Sequence, residues 1–265
     1  MDLSHDGARV IVTGGASNIG RGIVHGFARE GARILICDSD AEQGARVRDE
    51  AAQLGAQQAE LLTLDLTTEG SGARAVGTAV QAWGGLDVLV NNAGWNVPGF
   101  LAEQTDRAMW QRTVEVNLFA AIDCTQEALG PMCEAGRGSI VFISSDAAFG
   151  AIRQGIYGTT KAGLISLART TAREHGRHGV RSNVVCPGLV LPEDENAVGE
   201  QSLWAADRDA IFNEDQIEYV RKQTPLRRLT SPRDIADAVL WISSETAARQ
   251  VTGQVVAVGG GSTMP

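Results

Sequence analysis

The sequence predicts an α/β fold in which a parallel, doubly wound sheet is flanked by helices, and three observations predict it. Short β-branched runs alternate with amphipathic stretches along the chain, which is the rhythm of successive βαβ units. The runs VIVT, ILIC, VLVN and IVFI carry no polar alternation, as expected of strands covered on both faces. Turns rich in glycine, asparagine and serine recur where these runs end, and open α/β sheets bind ligands at those strand ends.

Taken in order, RVIVT is the first strand and IGRGIVHGFAREG the helix that follows it. RILICD and AEQGARVRDEAAQLG repeat the unit. AELLTLD, the polar–apolar stretch from Ser71 to Trp83, and DVLVNNAG continue it. One long helix is expected over Asp106 to Cys133, then the strand GSIVFISS, a helix bearing Tyr157, and the strand VRSNVVCPG. QVVAVGG is the last strand, and right-handed crossovers join the parallel neighbours. The rhythm breaks at Leu189 to Thr224, which has helix-forming pieces and no strand. An insertion there, after the sixth strand, is placed to act as a substrate lid. No Pro/Ser-rich linker, repeat or low-complexity tract divides the 265 residues. The whole of 1–265 therefore reads as a single Rossmann-type domain, with 189–224 as its lid.

Composition excludes several partners. A net charge of −9 argues against nucleic acid or an anionic membrane surface. MDLSHDGARVIVTGG has no cationic segment leading into an apolar core and cleavage site, and no window approaches a membrane span. Cys37, Cys124, Cys133 and Cys186 are scattered without a CxxC pair, as reduced thiols of a cytoplasmic protein would be. The four histidines form no metal-ligand group, and His175 and His178 in REHGRHGV fit a helix end; no metal is expected.

Two motifs carry chemistry. Tyr157 and Lys161 are four residues apart and share a helix face. A lysine cation held against a phenol is expected to stabilise the phenolate and lower its pKa, which suits proton exchange with an alcohol oxygen. The run TGGASNIGRG, Thr13 to Gly22, lies at a strand-to-helix turn. Glycines there admit a pyrophosphate to the backbone, beside a helix N-terminus with unpaired N–H groups. Asp38 ends the second strand about 25 residues on, placed to accept ribose hydroxyls and to repel a 2′-phosphate. No Arg or Lys stands at Ser17, Asn18 or Ser39, so NAD is favoured over NADP.

In these motifs and their order the chain resembles the short-chain dehydrogenase/reductase family, in its compact single-domain branch. The resemblance covers essentially the whole chain and rests on TGGASNIG, Asp65-Leu66, NNAG at Asn91 to Gly94, and Asn117 in VNL. It rests further on Ser144-Ser145, YxxxK at Tyr157 and Lys161, and Pro187-Gly188. It implies that Gly14, Ser17, Asn18 and Ile19 line the pyrophosphate, Asp38 the adenosine ribose, and Asp65 and Leu66 the adenine. Asn91, Ala93 and Gly94 would support the cofactor, and Pro187, Gly188 and Val190 the nicotinamide. Tyr157 would exchange the substrate proton, Lys161 would hold the ribose and lower the tyrosine pKa, a serine would bind the substrate oxygen, and Asn117 would hold a water in the proton path. Two positions depart from the family: Asn18 replaces a usual glycine, which asparagine tolerates through left-handed backbone, and Pro192 stands where a threonine often meets the carboxamide.

Ser144 lies 13 residues before Tyr157, the family's usual separation, and Ser145 lies 12 before. Ser145 nevertheless matches the strand motif I-S-S and the usual distance after Asn117. A one-residue loop deletion is easier than a slip of strand register, which favours Ser145 and leaves Ser144 as the alternative. The resemblance implies a small-molecule alcohol or ketone substrate, read as a polyol, sugar or cyclic alcohol, flanked by Trp95, Ile152, Gln154, Val190, Leu191 and Trp204. A 3-oxoacyl or cyclic hydroxyacyl thioester is the alternative. Against it stands an acidic lid, with Glu193, Asp194, Glu195, Glu200, Asp207 and Asp209 offset by Arg208. A non-catalytic dinucleotide sensor is the remote reading, since such a protein would be expected to lose the tyrosine, lysine or serine. The family also implies a homo-oligomer, dimer or tetramer, joined through the long helices.

Overall fold

The computed structural model of the chain describes residues 3–193, 197–199, 202, 204 and 213–265. Among these, seven strands form one sheet: β1 (Arg9–Thr13), β2 (Arg33–Asp38), β3 (Gln58–Thr63), β4 (Val88–Asn91), β5 (Gly138–Ile143), β6 (Val180–Pro187) and β7 (Val255–Val258). Their order is β3-β2-β1-β4-β5-β6-β7, and every neighbouring pair is parallel. The chain moves outward from β1 to β3, then returns to the other side of β1 to start β4. That reversal opens a crevice beyond the carboxyl ends of β1 and β4.

The helices are α1 (Asn18–Arg29), α2 (Ala41–Leu54), α3 (Ser71–Trp83), α4 (Arg107–Val114), α5 (Ala120–Ala135), α6 (Gly155–His175), α7 (Glu214–Gln223) and α8 (Pro232–Ser243). They cover both faces of the sheet. Ile11, Leu35, Leu89, Ile140 and Phe142 turn to one face, where Trp83, Met132 and Leu164 of α3, α5 and α6 close over them. Val10, Val12, Ile34, Ile36, Val88 and Val141 turn to the other, against Phe27, Val47 and Val239 of α1, α2 and α8. Side chains alternate across a strand, so burial on both faces demands apolar residues at every position. Each large side chain so buried stabilises the fold by about 1.5–3 kcal/mol.

Two regions differ from the sequence reading. The single helix expected over Asp106 to Cys133 is interrupted by a π-helical turn at Glu115–Phe119, between α4 and α5. The wider turn carries Asn117 inward, where it is 1 % exposed and fully hydrogen-bonded; single π turns of this kind favour functional sites. Helix α8 was not anticipated, although its start signal is plain. Ser231 and Asp234 cap each other's backbone N–H groups and Pro232 takes the first helical position.

The insertion after β6 is described only in part. Val190 pairs with Thr230 in an isolated parallel bridge, and α7 starts from a capping box between Asn213 and Gln216. The lid residues Asp194, Glu195, Glu200, Asp207, Arg208 and Asp209 lie outside the described residues.

Candidate functional site

A cleft of about 950 Å³ runs along the carboxyl ends of the strands. One wall is the turn from β1 into α1. Gly14 has φ of 61°, and a Cβ there would come within 2.8 Å of Ala93 Cα, so only glycine lets the two loops approach. Gly20 seats α1 on the turn, since a Cβ would fall 1.9 Å from the Gly14 carbonyl oxygen. Asn18 adopts φ of 43°, the left-handed conformation that asparagine tolerates. Its Oδ1 is buried with no partner among the described residues, while its Nδ2 reaches the Val190 carbonyl at 3.5 Å. Ser17 precedes α1 with a side chain that makes no capping bond, so the first N–H groups of the helix face the cleft beside Ser17, Asn18 and Ile19.

Asp38 stands at the end of β2. Its carboxylate accepts from the Ala16 N–H at 2.9 Å and the Asp40 N–H at 3.0 Å, and burial pushes its carboxyl above the usual range against those bonds. Asp65 and Leu66 line the same end. Asp65 accepts from the Thr67 N–H and hydroxyl, which hold its carboxyl below the usual range.

The other end holds Ser145, Tyr157 and Lys161. Ser145 follows β5, and its hydroxyl acts on the Tyr157 phenol to lower its pKa against the effect of burial. It also donates to Asp146 Oδ1 at 3.1 Å and accepts from the Ala147 N–H at 3.1 Å. Ser144 faces the interior: it is 2 % exposed and its hydroxyl donates to the Lys161 carbonyl at 2.8 Å. Adjacent residues leaving a strand point to opposite sides, so the two serines divide these tasks.

Lys161 is 2 % exposed, and its ammonium donates to the Ile143 carbonyl at 2.9 Å. Burial pushes the ammonium down to about 8 and the Tyr157 phenol up to about 12, assisted by the charge of Asp146. The expectation that Lys161 pulls the phenol down therefore does not hold in this geometry. The ammonium stands 5.6 Å from the ring centroid, and loss of water penalises both charged forms and dominates both shifts.

Ala93, Gly94, Pro187, Gly188 and Val190 also line the cleft. Asn91 does not: it is 3 % exposed and donates to the Thr125 hydroxyl at 3.0 Å in the core. Its neighbour Asn92 lines the cleft instead and donates to the Thr13 and Gly14 carbonyls. Period-two alternation along β4 could have separated the two. Asn117 sits behind the cleft, its Oδ1 accepting from the Trp95 N–H at 2.7 Å and its Nδ2 donating to the Trp95 carbonyl and the Thr160 hydroxyl. Its amide is thus spent on fixing the loop after β4. Sequence reasoning passed over three further lining features: Asp146, Asn96 bonded to Gln154, and Arg112, whose guanidinium stacks 4.9 Å over Trp95.

A protein-family model described as enoyl-(acyl carrier protein) reductase matches residues 14–263. The chain is 33% identical over 254 residues to the (2S)-[(R)-hydroxy(phenyl)methyl]succinyl-CoA dehydrogenase subunit BbsD of Thauera aromatica, covering 96% of each chain. It is 34% identical over 258 residues to an L-rhamnose 1-dehydrogenase (NAD(P)(+)) of Azotobacter vinelandii, covering 95% of each. Among solved structures, it superposes on a 7α-hydroxysteroid dehydrogenase complexed with NADH and 7-oxo glycochenodeoxycholic acid with a TM-score of 0.87 and 32% identity, over 98% of this chain and 96% of that one.

Proposed function

The chain belongs to the short-chain dehydrogenase/reductase family, and we propose that it interconverts a secondary alcohol and a ketone with NAD. The observation that carries this reading is one cleft holding Ser145, Tyr157 and Lys161 at one end and a glycine turn with Asp38 at the other.

The residues fit a nicotinamide dinucleotide. The orphaned Asn18 Oδ1, the close approach at Gly14 and the free N-terminal N–H groups of α1 suit a pyrophosphate, and the Asp38 carboxylate suits ribose hydroxyls and disfavours a 2′-phosphate. Ser17 and Ile19 complete the turn, Asp65 and Leu66 bound the adenine, and Ala93, Gly94, Pro187, Gly188 and Val190 bound the rest. The dinucleotide supplies the hydride acceptor in oxidation and the donor in reduction. Tyr157 takes the hydroxyl proton during oxidation and returns it during reduction. Ser145 donates to the same oxygen and steadies charge as it develops. Lys161 accepts the proton onward and holds a ribose hydroxyl. Asn117 keeps the Trp95 loop in register behind them.

The substrate proposed is a polyol, sugar or cyclic alcohol, as the name of the rhamnose dehydrogenase relative suggests. The BbsD relative, named for a CoA ester, favours a hydroxyacyl thioester as the second reading. We further propose a homo-oligomer assembled through the outer faces of α5 and α6, next to which Phe119 and Phe149 are 46 % and 45 % exposed, with sedimentation as its check. The unpaired thiols of Cys37, Cys124, Cys133 and Cys186 suit the cytoplasm. The deciding experiment follows absorbance of reduced nicotinamide, with NAD or NADP, over secondary alcohols, polyols, sugars and CoA esters. Turnover with NAD that Tyr157→Phe removes supports the reading, and dinucleotide binding without turnover on any substrate overturns it.

A further inference from the structure

Asp146 is a charged group in the cleft, beside the reacting residues, that the reaction above does not use. It begins a short 3₁₀ turn directly after Ser145. One carboxylate oxygen accepts from the Ser145 hydroxyl at 3.1 Å, while the Ala147 N–H donates to Ser145 Oγ. Among the described residues no Lys, Arg or His forms an ion pair with it. The carboxylate therefore keeps acceptor capacity turned to the cleft it lines. A ligand hydroxyl entering the cleft can take over that remaining acceptor from water.

Its position acts as a ruler. Ser145 Oγ marks where the reacting oxygen sits, and Asp146 Oδ1 lies 3.1 Å from Ser145 Oγ. Two oxygens on adjacent carbons adopt a similar separation when gauche. A second polar group stands in the same cleft: Asn96 Nδ2 donates to Gln154 Oε1 at 2.7 Å. That bond leaves the Asn96 carbonyl oxygen and the Gln154 amide N–H groups with no recorded partner among the described residues, and Gln154 immediately precedes the helix carrying Tyr157. Acceptor and donor capacity near Tyr157 suits a ligand with several hydroxyls better than a plain hydrocarbon ring.

We propose that Asp146 is a specificity-determining residue that accepts a hydrogen bond from a hydroxyl on the carbon next to the reacting one, so that the substrate class is the vicinal diol of a sugar or polyol. This rests on the oxidoreductase reading of the same cleft. The carboxylate also repels a negative group at that neighbouring carbon, which disfavours α-hydroxy acids.

The test compares a vicinal diol, its monodeoxy alcohol and the matching α-hydroxy acid, with NAD, in the full-length chain and in Asp146→Ala and Asp146→Asn. In the native chain kcat/KM for the diol exceeds that for the deoxy alcohol by about 10–100-fold, the range of a hydrogen bond to a charged group. Asp146→Ala brings the ratio to within about threefold, because the acceptor is gone. Asp146→Asn keeps much of the preference through its amide oxygen, while the α-hydroxy acid gains about tenfold as the repulsion disappears. A residue that merely orients Ser145 would slow all three substrates alike. A native ratio within about threefold, or a ratio unchanged in Asp146→Ala, overturns the proposal and leaves the oxidoreductase reading intact. Dinucleotide binding with no turnover of any of the three overturns both.

Discussion

The two ends of the sheet treat buried charge in opposite ways. At the amino ends of the strands, Arg9 makes a two-pronged bond to Asp87, with both contacts at 2.7 Å, and Arg137 adds a third group at 3.2 Å. Arg181, 7 % exposed, donates to the carbonyls of Ile242, Ser243, Ser244 and Val251, and its Nε alone is left without a partner. At the carboxyl ends Lys161 is 2 % exposed and has one carbonyl. Asn18 Oδ1 has no partner among the described residues, and Asp38 and Asp146 are both pushed above the usual carboxyl range by burial. Burial is common to both ends, and the number of partners separates them. Around its charged groups the frame supplies several partners, although Ser139 and Ser182 keep unpartnered hydroxyls there, whereas the cleft leaves its charged groups capacity for a ligand.

The comparison breaks hardest at Tyr157. Tyr157→Phe is expected to lower turnover by about 10³–10⁴-fold, the upper range for a general acid–base group, with dinucleotide affinity within about threefold of native by fluorescence titration. Loss of affinity on the same scale as turnover would mean that the tyrosine shapes the cleft rather than moves a proton.

The two serines repeat the comparison one residue apart. Ser145→Ala should cost about 10²–10³-fold in kcat, as removal of an oxyanion donor does. Ser144→Ala removes the bond to the Lys161 carbonyl; it should lower stability by about 1 kcal/mol in denaturant melts and leave kcat within about threefold. The reverse result would move the site to Ser144.

At the far end of the cleft, Asp38→Ala is expected to shift the ratio of kcat/KM for NAD over NADP by about 10–100-fold toward NADP, by removing both the ribose acceptor and the charge that repels a 2′-phosphate. An unchanged ratio would show that the Ala16 and Asp40 N–H groups retain the carboxylate for the turn alone.

How much of this was legible follows the same division. The strands could be read because both faces are buried and each position, as in Val10-Ile11-Val12, must be apolar. The turn at Gly14 and Asn18 could be read because positive φ restricts the residue types allowed. Partner counts could not be read. The alternation along β4 separates Asn91 from Asn92, but it does not show that the first meets the Thr125 hydroxyl and the second the Thr13 and Gly14 carbonyls. The relation between Lys161 and Tyr157 also escaped, because helix spacing fixes which face they share and says nothing of how much water the cleft removes. Nor does the sequence show that Asp146 bonds Ser145 with no ion-pair partner among the described residues.

Both ends should gain stability as pH rises, but in separate windows, the lysine end in base and the Asp87 end in acid. Burial pushes the Lys161 ammonium down to about 8 in the folded chain, against an ordinary value of 10.5. Between those values the unfolded chain holds more protons, so stability rises with pH across that window. The raised Tyr157 phenol opposes this only above its ordinary value of 10.0. Thermal melts across the window should show the rise, and Lys161→Met should flatten it. With the Lys161 ammonium pushed down to about 8 by burial, alcohol oxidation should climb through that pH while ketone reduction falls.

The smallest effect belongs to the frame. Asp87 is held below its ordinary carboxyl pKa, chiefly by hydrogen bonds and charge from Arg9 overcoming the cost of burial. Its contribution to stability is present above the unfolded value of 3.8 and is lost as pH falls through the folded one. Arg9→Ala removes the two-pronged bond while Arg137 remains. Because both side chains keep some solvent contact, the cost should be about 1–2 kcal/mol in neutral denaturant melts and should shrink at acid pH. Turnover should stay within about twofold, since the pair lies a strand's length from the cleft. A drop in kcat much beyond that would mean that tension at the amino ends reaches the carboxyl ends through β1 and β4, and that frame and site are one mechanical unit.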